Sequence, residues 1–409
     1  MPLLSIVVPT RNRSEYAASC VRSLLRIRSP DLEVIIRDNS AMGTLRTLLE
    51  PYARDVRLRY FHQAEATSVV DNCNQAVALA KGVYVTLLGD DDGVNPEIID
   101  ASIWAEDNGI DALVPFPIAH YTWPDVRFRY YGWKWAGMLT IRDFSGSVIR
   151  QDIEAGIHRS AKLGFQNLVN AVDLPKFYYG IIRRGCLEEL RRVSGAYFHG
   201  VSPDMGAAIG LSGFVRTAVA VDYPLFVPGT SAKSTAGASA RKEHVGRLQD
   251  QQHLPANCAA DWPMLVPAIF TVQTVWAQSA IAALRATRRD AILKDFNLEC
   301  LHAMCAVFNP GYVRTVVRNY YRALRTVGGS PVVGTIKLLG LAVRMCFRRA
   351  RNFLTRLGLF VSDTPKWSQA GFTNIDEAVV ALSGYIRDSG RRFLTSVPPG
   401  RWREPAESP

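Results

Sequence analysis

Four short apolar runs open this chain: Leu4 to Val8, Leu32 to Ile36, Val56 to Phe61 and Tyr84 to Leu88. Stretches of helical character separate them, near Ser14 to Leu25, Leu45 to Leu49 and Ser68 to Ala80. Strand–helix alternation of this kind predicts a largely parallel sheet with helices on both faces. Ligands of such sheets bind beyond the carboxyl ends of the strands. The polar clusters fall at those ends: Thr10-Arg11-Asn12, Asp38-Asn39-Ser40, and Asp90-Asp91-Asp92 between Gly89 and Gly93.

The rest of the chain bounds the reading. Its 409 residues are 48% hydrophobic and 21% charged. That composition supports a sizeable core and excludes a disordered chain, a collagen-like repeat and a polytopic membrane protein. Seven scattered cysteines without a CxxC pair exclude a disulfide framework and a zinc ribbon, and fit a reducing cytoplasm. The opening MPLLSIVVPT lacks a basic stretch and reads as a strand, not as a secretory signal. The run from Val332 to Phe347 is broken by Lys337 and Arg344, which argues against a spanning helix.

The net charge of +11 is unevenly placed. Residues 1–279 carry 28 Lys and Arg against 28 Asp and Glu, whereas residues 280–409 carry 20 against 9. The excess lies in the last third, which suggests an anionic surface as partner for that end.

Beyond residue 100, Ile98 to Asn108 predicts a helix and Ala112 to Phe116 a strand. An aromatic stretch at 121–135 follows, then a helix near Asp204 to Leu211 and a strand at Thr217 to Val221. Pro228 to Ala240 is small, polar and glycine-rich, a loop or mobile lid. From Trp262 helical periodicity dominates. The expected organisation is a catalytic domain at 1–228 with halves 1–100 and 101–228. A flexible loop at 229–260, a helical basic region at 261–396 and a frayed tail at 397–409 complete it.

Three consecutive carboxylates at a strand end repel one another unless a cation or hydrogen-bond donors offset the charge. In an Asp-x-Asp arrangement one carboxylate can hold a divalent metal while another orients a sugar hydroxyl. Oxygen ligands suit Mg²⁺ or Mn²⁺ bridging to a diphosphate. The alternative is an acidic turn that caps the next helix.

The succession SIVVPTRN, EVIIRDNS and NQAVALAKGVYVTLLGDDD resembles the family 2 glycosyltransferases of GT-A fold, strongly over residues 3–100 and more weakly over 100–235. The resemblance implies an α/β fold: a Rossmann-like, mostly parallel central sheet with helices on both faces, here with a mainly α-helical C-terminal extension. It also implies a nucleotide-sugar donor. Pro9, Thr10 and Asn12 match the loop around the donor nucleotide, and Asp38 matches the acid at the base or ribose. Asn72 and Asn74 match the helix face toward the nucleotide. Asp90 and Asp92 match the metal-binding ends of Asp-x-Asp, with Asp91 between them on the donor. Taken alone, Asp38 reads better as an Asx-turn residue, and the two asparagines read equally as helix surface. Uridine-binding members often carry Asp-Asp-Gly-Ser where this chain has Arg37-Asp38-Asn39-Ser40.

The resemblance also implies a catalytic base on a helix start about 100 residues after Asp-x-Asp, and Pro203-Asp204 fits that place. An inverting transfer needs a carboxylate to take the acceptor proton. The alternative for Asp204 is helix capping; the competing acids are Asp152, Glu154 and Asp173. Lys233, with Ser231, Ser234 and Thr235, sits in the glycine-rich loop where a point charge would meet the leaving diphosphate. His199 and His244 are further candidates near a metal. Trp123, Trp133 and Trp135 are candidates for stacking on acceptor sugars, or for core packing.

Read as a helix, residues 332–358 place apolar side chains at 336, 339, 343, 347, 350, 354 and 357. Basic ones fall at 337, 344, 348 and 351, about 100° away. This predicts either an interfacial amphipathic helix or a helix packed on the catalytic domain. The expectation is thus an inverting, metal-dependent glycosyltransferase acting on a glycan or lipid-linked glycan in bacterial surface polysaccharide synthesis. It would be cytoplasmic and peripheral at the inner face of the membrane, with no nucleic-acid partner. The rivals are a nucleotidyltransferase, disfavoured by the glycine-free Pro9-Thr10-Arg11-Asn12-Arg13, and a non-catalytic scaffold subunit of a polysaccharide assembly complex.

Overall fold

The computed structural model describes residues 1–65, 67–168, 173–241, 243–251, 253–255, 257–356, 365–398, 400 and 402–403. Its central sheet contains β1 (Leu4–Thr10), β2 (Leu32–Asp38), β3 (Leu58–His62), β4 (Tyr84–Leu87), β5 (Ala112–Pro115), β6 (Val148–Arg150), β7 (Ile181–Arg183) and β8 (Ala218–Val221). The strand order is β3-β2-β1-β4-β7-β5-β8-β6. The first four strands are parallel, with Thr10 beside Asp38 and Val7 beside Leu87. β7 enters antiparallel between β4 and β5. This is the expected GT-A arrangement: a parallel nucleotide half that is then extended by mixed strands.

Both faces of the parallel half are covered, which explains its near-continuous apolar runs. Leu4, Ile6, Val8, Val34 and Ile36 face one core, together with α1 (Ser14–Leu25). Val7, Ile35, Val85 and Leu87 face the other, together with α2 (Val69–Val77). Ser68 starts α2 by accepting a hydrogen bond from the Asp71 N–H at 3.1 Å.

Three further helices are α3 (Ile98–Asp107), α4 (Ile153–Lys162) and α5 (Arg184–Ser194). A helical layer continues the second face. In α6 (Pro203–Leu211), Ala207 and Leu211 meet the sheet core. Met205, Ala208 and Ile209 point the other way, onto Ala277, Ile281 and Leu284 of α7 (Val272–Ala286). Then come α8 (Leu298–Phe308), α9 (Val313–Thr326) and α10 (Pro331–Arg356). The helix expected over 332–358 thus runs through 356, while positions 357 and 358 lie outside the described residues.

The C-terminal region is not one extension. After α10 the chain returns to the first core. Trp367–Gln369 pairs with Met138–Ile141 as the edge of a second, four-stranded sheet. The last long helix, α11 (Ile375–Ser389), buries Ile375, Val379, Leu382 and Ile386 in the core that contains α1. Arg26 clamps Asp376 through two hydrogen bonds of 2.6 and 2.9 Å. The frayed tail is corrected as well. Val397 is buried, and Arg403 exchanges backbone hydrogen bonds of 2.9 Å with Val148 and Arg150 of β6. Tail positions 399, 401 and 404–409 lie outside the described residues. Within 229–260, where a loop was expected, Gly229–Thr230 pairs with Ala119–Thr122, and Thr235–Arg241 is helical.

Candidate donor and transfer site

The carboxyl ends of β1, β2 and β4 bring the three polar clusters together. Thr10 Oγ1 donates to Asp90 Oδ2 at 2.6 Å. Arg13, at the start of α1, bridges Asp90 Oδ1 at 2.8 Å and Asp91 Oδ2 at 2.9 Å. Its Nη2 also donates to Ser231 Oγ at 2.7 Å, and Ser231 Oγ donates in turn to Asp91 Oδ2 at 2.6 Å. The repulsion anticipated among the carboxylates is thus offset by a guanidinium. Burial pushes the Asp90 carboxyl up from its usual range, and Arg13 opposes that rise.

The three aspartates divide their tasks. Asp92 is fully buried, and its oxygens accept from Gly89 N, Tyr178 Oη, Tyr179 Oη and Gly229 N at 2.9, 3.0, 2.9 and 2.6 Å. Three of these donors share Oδ2, and Oδ1 accepts only from Gly229 N. Asp92 thus ties the strand end to the chain at Gly229. That approach requires glycine, because a Cβ there would lie 1.9 Å from the Asp91 carbonyl oxygen. Asp90 spends its oxygens on Thr10 and Arg13. Asp91 Oδ1 takes no hydrogen bond from a described residue.

Among the described residues no three His, Cys, Asp or Glu side chains converge to hold a metal ion. Mg²⁺ and Mn²⁺ need no such cage, because one or two carboxylates with diphosphate oxygens and water suffice. The open Asp91 oxygen, with Asp90 beside it, fits that mode. Arg13 sits on the same two carboxylates and competes with any such ion.

A cavity of about 260 Å³ adjoins this cluster, lined by Asn12, Arg13, Tyr16, Ser40, Thr44 and Lys233 among others. The expected first-strand loop and the expected lysine therefore share one space. Asn12 holds a left-handed backbone, φ 57°, and its N–H donates to Ser40 Oγ at 2.7 Å. Asparagine tolerates that conformation better than most residues. Pro9 lies on β1 opposite Arg37.

Other residues expected at the donor also make contacts within the protein. Asp38 is buried and accepts from Ser40 N at 2.9 Å and Tyr60 Oη at 2.8 Å, which is the Asx-turn alternative. Asn72 Nδ2 reaches the carbonyls of Thr10 and Arg37 at 3.4 and 3.5 Å, so it ties two strand ends together. Asn74 turns away from the cavity: its Oδ1 accepts from Tyr197 N at 2.9 Å and Phe198 N at 3.1 Å. It thereby pins the segment that leads to Asp204.

Asp204 is half-buried in the first turn of α6. Its Oδ1 accepts from Ser202 Oγ and from Met205 N, the latter at 2.8 Å. Burial pushes its carboxyl up, and these donors hold it back. The approach to the helix is fixed by Ser279 Oγ, which accepts from Val201 N and Ser202 N at 2.9 and 2.8 Å. Gly200 permits this with φ 81°, where a Cβ would meet Ser279 Cα at 2.4 Å. The competing acids are engaged elsewhere. Asp152 caps α4, Glu154 pairs with Arg289 at 2.5 Å, and Asp173 pairs with Arg159 at 2.7 Å. Among the described residues Asp204 has no ion-pair partner.

His199 bonds Ser194 Oγ at 2.8 Å, and His244 packs edge-on to Phe270. Trp123 is buried and donates its indole N–H to the Asp91 carbonyl at 2.9 Å, so it supports the carboxylates. Trp135 packs on Phe128 and Tyr131, whereas Trp133 is 57% exposed. Sequence reasoning missed Arg13, Tyr178 and Tyr179. A lone arginine three residues after a strand carries no spacing signal, and the tyrosines lie 86 residues or more from Asp92 in the chain.

Comparison with known proteins follows the same outline. Residues 5–161 match the family model for glycosyl transferase family 2. A chondroitin synthase of Escherichia coli is 33% identical over 137 residues, 30% of this chain and 20% of that protein. Glycosyltransferase EpsJ of Bacillus subtilis is 32% identical over 115 residues, 28% of this chain and 33% of that protein. A GalNAc(5)-diNAcBac-PP-undecaprenol beta-1,3-glucosyltransferase of Campylobacter jejuni is 32% identical over 94 residues, 22% of this chain and 30% of that protein. The chain thus spans a third or less of these relatives. A crystal structure of S. aureus TarS 1-349 aligns over 88% of this chain and 93% of that one, at 14% identity and TM-score 0.46, too loose to carry an argument. Over residues 5–161 the chain is thus similar to glycosyl transferase family 2.

Proposed function

We propose that this chain is an inverting glycosyltransferase that moves one sugar from a nucleotide-sugar to a hydroxyl of a glycan or lipid-linked glycan, in surface polysaccharide synthesis. The observation that carries the reading is Arg13, which ties Asp90, Asp91 and Ser231 together and lines, with Lys233, the cavity beside Asn12 and Ser40. Cations and hydroxyls there suit a diphosphate, and Asp204 is a carboxylate with no ion-pair partner among the described residues. The relatives named above include a transferase named for a glycan on PP-undecaprenol, which supports a lipid-linked acceptor.

The roles follow from charge. Asp204 takes the proton of the acceptor hydroxyl as that oxygen bonds to the anomeric carbon from the face opposite the departing diphosphate. Its burial favours proton uptake, so the carboxyl is a stronger base than an exposed aspartate. The bond from the anomeric carbon to the diphosphate oxygen breaks, and Lys233 meets the growing negative charge. Arg13 and Ser231 hold Asp90 and Asp91 in place through this step. A divalent cation held by Asp91, with Asp90 beside it, would supply further charge neutralisation to the leaving group.

The test is thermal stabilisation of the full chain by a panel of nucleoside diphosphates and nucleotide-sugars, with and without Mn²⁺. The reading expects one base to give a shift that grows with Mn²⁺. Absence of a shift with every member overturns it.

A further inference from the structure

Helix α10 is held along one narrow seam. Gly334 is buried against Tyr320 and Leu324, and Leu338, Leu341 and Met345 are partly covered. Arg349 donates to the Val307 carbonyl at 2.6 Å. Most of the other described side chains of the helix are exposed. On it Val332, Val333, Ile336, Leu339, Val343 and Phe347 are 70, 51, 67, 60, 55 and 73% exposed. At 100° per residue these six fall in one stripe about 120° wide. Scattered exposed apolar residues are ordinary; a continuous stripe of large ones marks a docking surface.

Charge selects the occupant. Residues 331–356 contain six Lys or Arg and no Asp or Glu. Lys337, Arg344 and Arg348 run along one flank of the stripe, about 80–120° from its centre. A second copy of this helix would place its own cations against them, so self-association is disfavoured. A neutral apolar partner leaves the basic flank without a function. An anionic bilayer interface satisfies both parts, since acyl chains accept the stripe and phosphate headgroups accept the flank. Among the described residues no helix is long and apolar enough to cross a membrane, so the helix would lie in the plane.

We propose that α10 is an interfacial anchor for an anionic lipid surface, with Ile336, Leu339, Val343 and Phe347 inserted and Lys337, Arg344 and Arg348 on the headgroups. The anchor deepens the lipid-linked-acceptor reading. It is measured without any transfer, so the two fail separately.

The experiment is co-sedimentation of the full chain with vesicles of phosphatidylcholine alone and of equal parts phosphatidylcholine and phosphatidylglycerol. Binding should require the anionic lipid and weaken with salt. The Ile336→Glu/Phe347→Glu variant should lose at least about tenfold in affinity. Its circular dichroism and thermal transition should not change, because both side chains are solvent-exposed. Neutralising Lys337, Arg344 and Arg348 to Gln should cost about fivefold per charge. Equal binding to both vesicle types overturns the proposal, as does unchanged binding of the glutamate variant. No vesicle binding also overturns it. So does a wild-type dimer that the glutamate variant dissociates, which would make the face a self-association surface.

Discussion

Arg13 is the sharpest test of how the carboxylate cluster is held. Replacing it with methionine keeps the apolar stem and removes the guanidinium. The carboxylates it bridges are only 3% and 5% exposed, and Arg13 itself is 18% exposed. Removing one member of a buried ion pair costs about 3–5 kcal/mol. Thr10 and Ser231 still donate to the two acids, and a carboxyl can take up a proton, so about 3 kcal/mol is expected. Urea unfolding followed by tryptophan fluorescence measures it. The pH dependence has a definite sign. Burial already raises the Asp90 carboxyl, and loss of Arg13 raises it further. The folded variant then binds more protons than its unfolded chain, so its stability falls as pH rises above the unfolded carboxyl value. The deficit against wild type should therefore be smallest near about pH 4 and largest at neutral pH. Mn²⁺ should stabilise the variant more than the wild type, because the competing cation is gone. A deficit under about 1 kcal/mol that does not vary with pH would refute the reasoning.

Other consequences are simpler to state. Lys233→Ala should raise KM for the donor about tenfold with unchanged stability, because the side chain is exposed at the cavity; steady-state kinetics decide it. Asn74→Ala should cost about 1–3 kcal/mol in unfolding by orphaning Tyr197 N and Phe198 N, while nucleotide affinity measured by calorimetry stays the same. Truncation after residue 364 removes Ile375, Val379, Leu382 and Ile386 from the first core. At about 2 kcal/mol each the loss rivals the stability of a whole domain, so the truncated chain should be insoluble on expression.

The first hundred residues announce their fold because strand and helix alternate there and β1, β2 and β4 are buried on both faces. Expected strands over 4–8 and 32–36 appear as Leu4–Thr10 and Leu32–Asp38. The site was legible where chemistry sits at strand ends, as with Thr10, Asp90, Asp91 and Asn12. It was not legible where a side chain's direction decides its role. Asp92 and Asp91 are neighbours in one turn, yet Asp92 faces Tyr178, Tyr179 and Gly229 while Asp91 faces Arg13 and Ser231. Asn72 and Asn74 lie on one helix, but Asn74 faces the 197–198 segment, a contact no local pattern encodes. The return of α11 to α1 was hidden for a similar reason. Its amphipathic pattern shows that a face is buried, not which of the helices or sheets covers it.

The central claim is that Asp204 removes the acceptor proton in a transfer from a nucleotide-sugar. The measurement that bears on it most directly is nucleoside diphosphate release by wild type and by Asp204→Asn, with the donor identified by stabilisation and with lipid-linked glycan as acceptor. Donor affinity is measured by calorimetry on the same samples. The account predicts a loss of at least about a thousandfold in turnover with donor affinity preserved. Turnover within about tenfold of wild type would contradict it.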